Sequence, residues 1–277
     1  MKNLAELDRD LARDYGNYAI YSTDVDPGSV ETYGDGPAEE VDRLLDIYAK
    51  PGSYVLDLGC GAGFTLCRLA QKVASIWGFD QDERLLTAAQ LRAEEQGITN
   101  AKFILRSAAS AGDADSLPDD YFDLVFSRRG PNVNAFMQKM KDEAVVIQEL
   151  FQGYLGLLEF MGRKSFLADL GDNPRWLIDE YSWLNLFPVS AKEYYFDFYF
   201  RDTNHLAAYL SRKTSLYSWP MPPMPYEAAR DLPALELYAP YNMTSKGIRL
   251  INVRKVYLFR RIPVQYAPVD PNVKPDL

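Results

Sequence analysis

The chain carries one stretch whose residue types and spacing suit ligand chemistry, Asp57-Leu-Gly-Cys-Gly-Ala-Gly63, between an apolar run and a helical pattern. Glycine allows a sharp turn and lets a ligand approach the backbone without a Cβ in the way. The free amide groups at a helix start favour a negatively charged ligand group. A plain tight turn would also explain three alternating glycines, so the loop alone predicts only that a ligand can come close.

Phe64 and Asp80, which follow the glycine loop in the sequence, indicate which kind of ligand the loop binds. A dinucleotide-binding loop needs a small residue three positions after its second glycine, where helix and strand pack closely. Phe64 holds that position, and we expect its ring to obstruct the packing, which counts against nicotinamide and flavin cofactors. Asp80 ends the next strand, where a carboxylate can accept hydrogen bonds from both ribose hydroxyls. Its alternative role is a turn or N-cap residue of the following helix.

Residues 53–127 resemble the class I S-adenosylmethionine-dependent methyltransferases, particularly the ubiquinone-biosynthesis type. The matching stretches are Val55-Leu-Asp-Leu-Gly-Cys-Gly-Ala-Gly63, Gly78-Phe-Asp80 and Leu117-Pro-Asp-Asp-Tyr-Phe-Asp-Leu-Val125. The resemblance implies that S-adenosyl-L-methionine is the cofactor. It places Asp57 and Gly59 by the methionine part, Gly61 and Gly63 along the cofactor, and Asp80 at the ribose. The other predicted cofactor contacts are Cys60, Gln81, Ser107, Ala108 and Ser127.

The predicted adenine contact departs from the family pattern. Many relatives carry an aspartate after the third strand, whereas this chain reads Leu105-Arg-Ser-Ala108. The Ser107 hydroxyl can accept a hydrogen bond, and Ala108 can offer a backbone amide. Asp113 or Asp115 would supply the contact instead if the loop folds back.

The predicted substrate residues follow the fourth parallel strand, in Ser127-Arg-Arg-Gly-Pro131. Ligands of doubly wound sheets bind beyond the carboxyl ends of the strands, so Arg128 or Arg129 could bind a substrate carboxylate or phosphate. The alternative is an ion pair with the acidic loop 113–123. The resemblance implies that the N-terminal segment covers the substrate, and from it we take Tyr18 and Tyr21 as substrate contacts.

No catalytic residue is assigned. The sulfonium is already an activated methyl donor, so alignment at about 3–3.5 Å can suffice without a base. Glu149, Asp123 or an N-terminal tyrosine are the candidates if a base is needed. His205 is the only histidine, and packing on a helix is its simpler role.

The elements that must position these residues alternate regularly. Strands at 54–58, 75–80, 101–105 and 122–127 alternate with helices at 64–73 and 82–96, after earlier helices at 3–14 and about 37–49. Short apolar strands joined by helices predict a Rossmann-like, doubly wound α/β fold with a mostly parallel sheet. Beyond them we expect a helix at about 132–142, a strand at 144–150, a strand at 191–200, helices at 203–212 and about 226–238, and a strand at 247–261. The two late strands predict an antiparallel edge strand.

The predicted domain organisation has three parts. Residues 1–50 form an N-terminal helical cap segment, residues 51–262 a methyltransferase domain with a helical, aromatic insertion at about 152–188, and residues 263–277 an extended tail. Four basic residues of the last strand, Arg254, Lys255, Arg260 and Arg261, are expected to solvate its outward face.

Composition limits the partners. With 277 residues and a net charge of −9, the acidic surface makes a nucleic-acid partner or an anionic membrane unfavourable. No apolar run reaches the ~18 residues of a membrane span, no signal peptide is recognised, and the two cysteines, Cys60 and Cys67, give no metal spacing. The predicted location is the cytoplasm.

The sequence therefore predicts methylation of a small organic molecule. An RNA base (guanine-N1-like) methyltransferase is the first alternative, because a similar Arg-Arg-Gly-Pro segment recurs in relatives that resemble such enzymes. Those relatives usually carry an N-terminal cysteine cluster for zinc, which this sequence lacks. A noncatalytic S-adenosylmethionine-binding scaffold is the second alternative.

Overall fold

The computed structural model describes residues 3–15, 29–32, 36–106, 111–128, 130–162, 185–211 and 225–263. The helices are α1 Leu4–Tyr15, α2 Pro37–Tyr48, α3 Phe64–Ala70, α4 Glu83–Glu95, α5 Ala111–Ala114, α6 Leu157–Phe160, α7 Thr203–Ser211 and α8 Ala228–Asn242, with a 3₁₀ helix at Val133–Lys139. The strands are β1 Ser29–Thr32, β2 Tyr54–Leu58, β3 Ser75–Asp80, β4 Ala101–Leu105, β5 Phe122–Arg128, β6 Met140–Leu155, β7 Leu186–Phe200, β8 Met243–Thr244 and β9 Gly247–Arg261. Among the helices of these ranges, none combines the length and hydropathy that crossing a bilayer requires.

The described chain divides into two compact units. The parallel-sheet unit contains β2 to β5 with their helices, the first part of β6 up to Glu149, and the end of β9 from Val256. In it β2 pairs with β3 and β5, β3 pairs with β4, and β5 pairs with β6, all in parallel. The order β4-β3-β2-β5-β6 reverses direction at β2, which makes β2 and β5 the switch point beyond which such sheets bind ligands. The Rossmann-like, doubly wound fold is confirmed.

The second unit contains α1, β1, α6, α7 and α8, with the later residues of β6 and β7 and the first residues of β9. Its apolar core joins residues of β7, α7 and β9, including Phe198, Phe200, Leu206 and Leu250. At its edge β1 pairs antiparallel with β7, with Ser29 opposite Tyr199. The sequence analysis missed β1, because four residues in a poorly periodic stretch give no strand pattern of their own.

The predicted elements between β5 and β6 are wrong in type and extent. Residues 133–139 form a 3₁₀ helix, started by the Asn132 side chain, which accepts a hydrogen bond from the Asn134 amide at 3.2 Å. Met140 already pairs with Phe122 of β5, so strand pairing ends the helix before the predicted residue 142. The strand then runs from 140 to 155 rather than from 144 to 150.

Two of the four basic residues of β9 do not lie on a solvated face. Arg254 and Lys255 are only 8% and 9% exposed. The Arg254 guanidinium lies 5.3 Å from the centre of the Phe196 ring, and the Lys255 ammonium lies 2.8 Å from a Glu193 carboxylate oxygen. The expectation of an outward basic face is therefore wrong for these two residues, since ring and carboxylate partners on β7 compensate their burial.

The predicted division into residues 1–50, 51–262 and 263–277 stays a prediction. Most of the predicted insertion, residues 163–184, lies outside the described residues, as does the tail beyond residue 263. Of the insertion, the structure describes α6 and shows that its predicted ends overlap β6 and β7.

Candidate functional site

The glycine loop follows β2 and closes onto the end of β3. The amides of Gly59 and Cys60 both donate to the Phe79 carbonyl oxygen, at 2.9 and 2.8 Å. Gly59, Gly61 and Gly63 have φ angles of +87°, +53° and +79°, in the left-handed region that costs other residues about 1–2 kcal/mol each. The loop conformation therefore requires glycine at all three positions.

The space around the three glycines differs. A Cβ added to Gly61 would meet nothing within 4 Å, whereas one added to Gly63 would lie 2.7 Å from the Ala89 Cβ in α4. A Cβ on Gly59 would lie 3.2 Å from the Gly130 Cα. Gly61 thus borders open space that a ligand can enter, and Gly63 lets α3 and α4 pack together. The ligand contacts assigned to all three glycines stay predictions.

Phe64 does not obstruct the packing of helix against strand, so that part of the sequence analysis is wrong. Its side chain is 41% exposed and stacks beneath the Arg92 guanidinium, 3.7 Å from the ring centre. The close approach is made possible by Gly78 in β3, where a Cβ would lie 2.4 Å from the Leu66 Cδ1 of α3. A glycine inside a strand signals such an approach, and Gly78 offered that signal in the sequence.

Asp80 ties the end of β3 to the glycine loop. Its Oδ2 accepts a hydrogen bond from the Gly61 amide at 2.7 Å, and its Oδ1 accepts one from the Asp82 amide at 2.9 Å. Burial raises the pKa of this carboxyl, and the backbone hydrogen bonds oppose the rise. The N-cap of α4 is Asp82, whose Oδ1 accepts from the Arg84 and Leu85 amides, so the N-cap alternative does not apply to Asp80. The turn alternative does apply, because the bond from the Asp82 amide to the Asp80 side chain forms an Asx turn. Each carboxylate oxygen has a second lone pair that can accept a ligand hydroxyl.

Asp57 is a second carboxyl at the same end of the sheet. It is 2% exposed, and burial raises its pKa well above the usual 3.8, helped by the charge of Asp80 and opposed by Arg128. A cation near two acidic groups makes it easier to ionise both of them, whereas an anion makes it harder. The site therefore favours a positively charged ligand group over a pyrophosphate.

Three other predicted cofactor residues lie around this centre. Cys60 is buried, and its Sγ would lie 2.8 Å from a Cβ placed on Gly78. Gln81 is exposed and directly follows Asp80. Ser127 is 1% exposed, and its hydroxyl donates to the Pro131 carbonyl at 2.7 Å, so it fixes the turn after β5. Their cofactor contacts stay predictions.

Arg128 lies between α2 and β6 rather than at the acidic loop. Its Nη1 is 3.4 Å from the Thr65 hydroxyl and 3.6 Å from the Asp42 carboxylate, and its Nε is 3.9 Å from the Glu149 carboxylate. For Arg128 the predicted alternative partner, the loop 113–123, is therefore wrong, and for Arg129, which lies outside the described residues, it stays a prediction. Glu149 is 2% exposed, so the Arg128 charge compensates a buried acid. Asp42 and Thr65 were missed because their approach depends on the packing of α2 and α3.

Several predicted residues cannot be placed with the others. Ser107, Ala108, Arg129, Tyr18 and Tyr21 all lie outside the described residues. The adenine contact and the aromatic substrate contacts stay predictions.

One candidate base lies away from the loop. Asp123 near the start of β5 accepts the Tyr54 amide at 2.8 Å and pairs with Lys141 at 2.8 Å. Because β2 and β5 are parallel, their first residues lie at the sheet edge opposite the glycine loop. Asp123 therefore anchors that edge.

Comparisons with known proteins match the same part of the chain. Residues 49–153 match a family model described as a methyltransferase domain. The ubiquinone biosynthesis O-methyltransferase of Leptothrix cholodnii is 31% identical over 148 residues, which cover 52% of this chain and 57% of that protein. The ribosomal protein L11 methyltransferase of Neisseria gonorrhoeae is 34% identical over 103 residues, 36% of this chain and 32% of that protein. The chain thus spans 57% or less of the length of these two relatives.

A solved structure extends the likeness in fold. A functionally unknown protein from Deinococcus radiodurans R1 superposes with a TM-score of 0.56 at 17% identity, covering 93% of this chain and 100% of that one. At this identity the likeness establishes the fold alone.

Proposed function

We propose that the chain is a class I S-adenosylmethionine-dependent methyltransferase, as the match of residues 49–153 to a methyltransferase domain supports, and that it transfers the methyl group of S-adenosyl-L-methionine to a small organic molecule. The observation that carries the proposal is the pair of carboxyls, Asp57 and Asp80, beside the open space at Gly61. S-adenosylmethionine bears a sulfonium and an ammonium group, which the buried Asp57 carboxyl can stabilise, while the partly buried Asp80 is left for the ribose hydroxyls. The pyrophosphate of a dinucleotide would bring a charge of the same sign to Asp57.

Three residues of the described site, Asp57, Asp80 and Gly61, have separate roles in this proposal. Asp57 faces the cationic methionine part, Asp80 accepts hydrogen bonds from the ribose hydroxyls, and Gly61 leaves room for the cofactor against the backbone. A cation beside Asp57 opposes the rise that burial causes in the pKa of this carboxyl, as Arg128 already does. Ser107 and Ala108 are proposed to contact the adenine.

The reaction places few demands on protein side chains. Bound S-adenosylmethionine supplies an activated methyl group on a good leaving group. The protein then contributes alignment of the acceptor with the methyl carbon and exclusion of water. Glu149 remains the candidate base of the described residues, if the acceptor must lose a proton.

A small-molecule acceptor fits the charge better than RNA. The net charge is −9, and one of the two arginines that favoured RNA, Arg128, already lies beside the acidic groups of Asp42 and Glu149. The named relatives include an enzyme of ubiquinone biosynthesis and one for a ribosomal protein; the former aligns over the larger share of this chain. A reducing cytoplasm suits Cys60 and Cys67, which are both free and buried.

The test is methyl transfer from labelled S-adenosylmethionine to fractionated cell extract. We expect label in the low-molecular-weight fraction and loss of transfer in Asp80→Ala. Label in RNA, with affinity for RNA that falls steeply as salt rises, would overturn the small-molecule proposal. Tight cofactor binding without label in any fraction would favour the noncatalytic scaffold.

A further inference from the structure

A polar cavity lies wholly within the second unit, at the end of β7 and beside the turn between β8 and β9. Its volume is about 570 Å³, within the range of small-molecule sites. The side chains that define its chemistry are Tyr199, Arg201, His205, Thr244, Ser245 and Lys246. None of the residues with predicted cofactor or substrate roles lines it in the described part of the chain.

The lining chemistry is that of an anion site. Two permanent cations, the only histidine and the Ser245 hydroxyl contribute, and no carboxylate lines the cavity among the described residues. This composition stands out in a chain of net charge −9. Asp202 lies next to the cavity and pairs with the Arg201 Nε at 2.9 Å, but that contact uses one of the five N–H groups of the guanidinium. The Arg201 side chain remains 80% exposed.

His205 is oriented as a donor. Its Nδ1 accepts a hydrogen bond from the Arg201 amide at 3.3 Å, so the neutral ring carries its proton on Nε2. The ring packs edge-on against Phe200, with centroids 5.3 Å apart. Backbone and packing together hold the imidazole at the cavity wall that Arg201 and Lys246 also line.

The opposite wall is a turn held in one conformation. The Thr244 hydroxyl donates to the Gly247 carbonyl at 2.8 Å and accepts from the Lys246 amide at 3.1 Å. Gly247 has φ +117°, and a Cβ there would lie 2.3 Å from the Phe200 carbonyl oxygen. Glycine therefore brings the turn against the end of β7, where the Lys246 ammonium lies 5.5 Å from the Tyr199 ring. The cavity is thus built from fixed backbone on both sides.

We propose that this cavity binds a phosphate group, either as inorganic phosphate or as the phosphate ester of a small metabolite. An arginine fork, an ammonium group, an imidazole N–H and a serine hydroxyl are donors that phosphate oxygens prefer. The Tyr199 and Thr244 hydroxyls already donate to Asp197 and to the Gly247 carbonyl, so the donor set is Arg201, Lys246, His205 and Ser245. The volume leaves space for an organic part beside the phosphate. The proposal does not depend on methyl transfer, since its residues lie in the second unit and none has a role at the glycine loop.

The only histidine gives a direct probe. The imidazole resonances of His205 in the full-length chain are followed by NMR while inorganic phosphate or glycerol 3-phosphate is added, with ionic strength held constant by chloride. We expect saturable shifts with at least one of the two ligands. Tighter binding of the ester would identify a phosphorylated metabolite as the ligand, and equal binding would identify phosphate itself.

Variants decide whether the donors act as proposed. Arg201→Ala and Lys246→Ala should each weaken binding at least fivefold, and Lys72→Ala, an exposed lysine of the other unit, should leave it unchanged. Circular dichroism and a thermal melt of each variant establish that it folds. Shifts that grow linearly without saturation, or an affinity that Arg201→Ala and Lys246→Ala leave intact, would overturn the proposal.

Discussion

Two alanine substitutions in the glycine loop should affect different properties: Gly63→Ala should mainly lower stability, and Gly61→Ala should mainly lower ligand affinity. In Gly63→Ala the new Cβ meets the Ala89 Cβ at 2.7 Å and its Cα at 3.0 Å, in helix backbone that cannot turn aside. Left-handed strain of about 1–2 kcal/mol adds to overpacking of about 1–3 kcal/mol, so we expect a loss of about 2–5 kcal/mol in the free energy of unfolding. Gly61→Ala adds strain alone, since nothing lies within 4 Å, and should cost about 1–2 kcal/mol.

Ligand affinity should show the reverse order. The Cβ of Gly61→Ala enters the open space at the loop, and we expect S-adenosylhomocysteine to bind at least tenfold more weakly, about 1.4 kcal/mol. Urea unfolding of the ligand-free variants measures stability, and calorimetry measures affinity for those that remain folded. Ala89→Gly in the Gly63→Ala background removes the Cβ contact and serves as the rescue control. Equal stability of the two single variants, or wild-type affinity in Gly61→Ala, would refute the claim that Gly63 serves helix packing while Gly61 borders the ligand.

Three further predictions concern the charged residues. Because burial raises the pKa of Asp57, the folded state binds more protons than the unfolded state between pH 3.8 and that raised pKa. The free energy of unfolding should therefore fall as pH rises through that window. Urea unfolding across pH measures the fall, and Asp57→Asn should remove it. Asp80→Ala should weaken S-adenosylhomocysteine binding by about 1–3 kcal/mol, and an unchanged affinity in calorimetry would exclude the ribose contact. Arg128→Ala should lower the free energy of unfolding by about 1–3 kcal/mol, because the buried Glu149 carboxylate loses a nearby cation; unchanged stability would instead leave Arg128 available for substrate.

Local pattern was enough to predict the parallel strands. The bounds of β2, β3 and β4 coincide with the predicted 54–58, 75–80 and 101–105, and β9 coincides with 247–261. These strands are short apolar runs or one long run, ended by turn residues whose geometry is local. The glycine conformations could also be predicted from the neighbouring sequence, since the left-handed φ values of Gly59, Gly61 and Gly63 follow from the need for a sharp turn.

The errors all involve partners distant in sequence. The exposed position of Phe64 depends on Arg92, the environment of Arg128 depends on Asp42 and Glu149, and the early end of the 3₁₀ helix depends on pairing with β5. These partners lie 18 or more residues apart in the chain, beyond the span of a local helix or strand pattern. The phosphate cavity was missed for the same reason, because its two walls are about forty residues apart in the chain.

The central claim is that the carboxyl pair and the glycine loop hold S-adenosylmethionine rather than a dinucleotide. Calorimetric titration of the full-length chain with S-adenosylhomocysteine and, separately, with NAD tests it most directly. We expect saturable one-to-one binding of S-adenosylhomocysteine, weakened by Asp80→Ala, and no heat of binding with NAD. Binding of NAD in preference to S-adenosylhomocysteine, or no binding of S-adenosylhomocysteine to the folded wild-type chain, would contradict it.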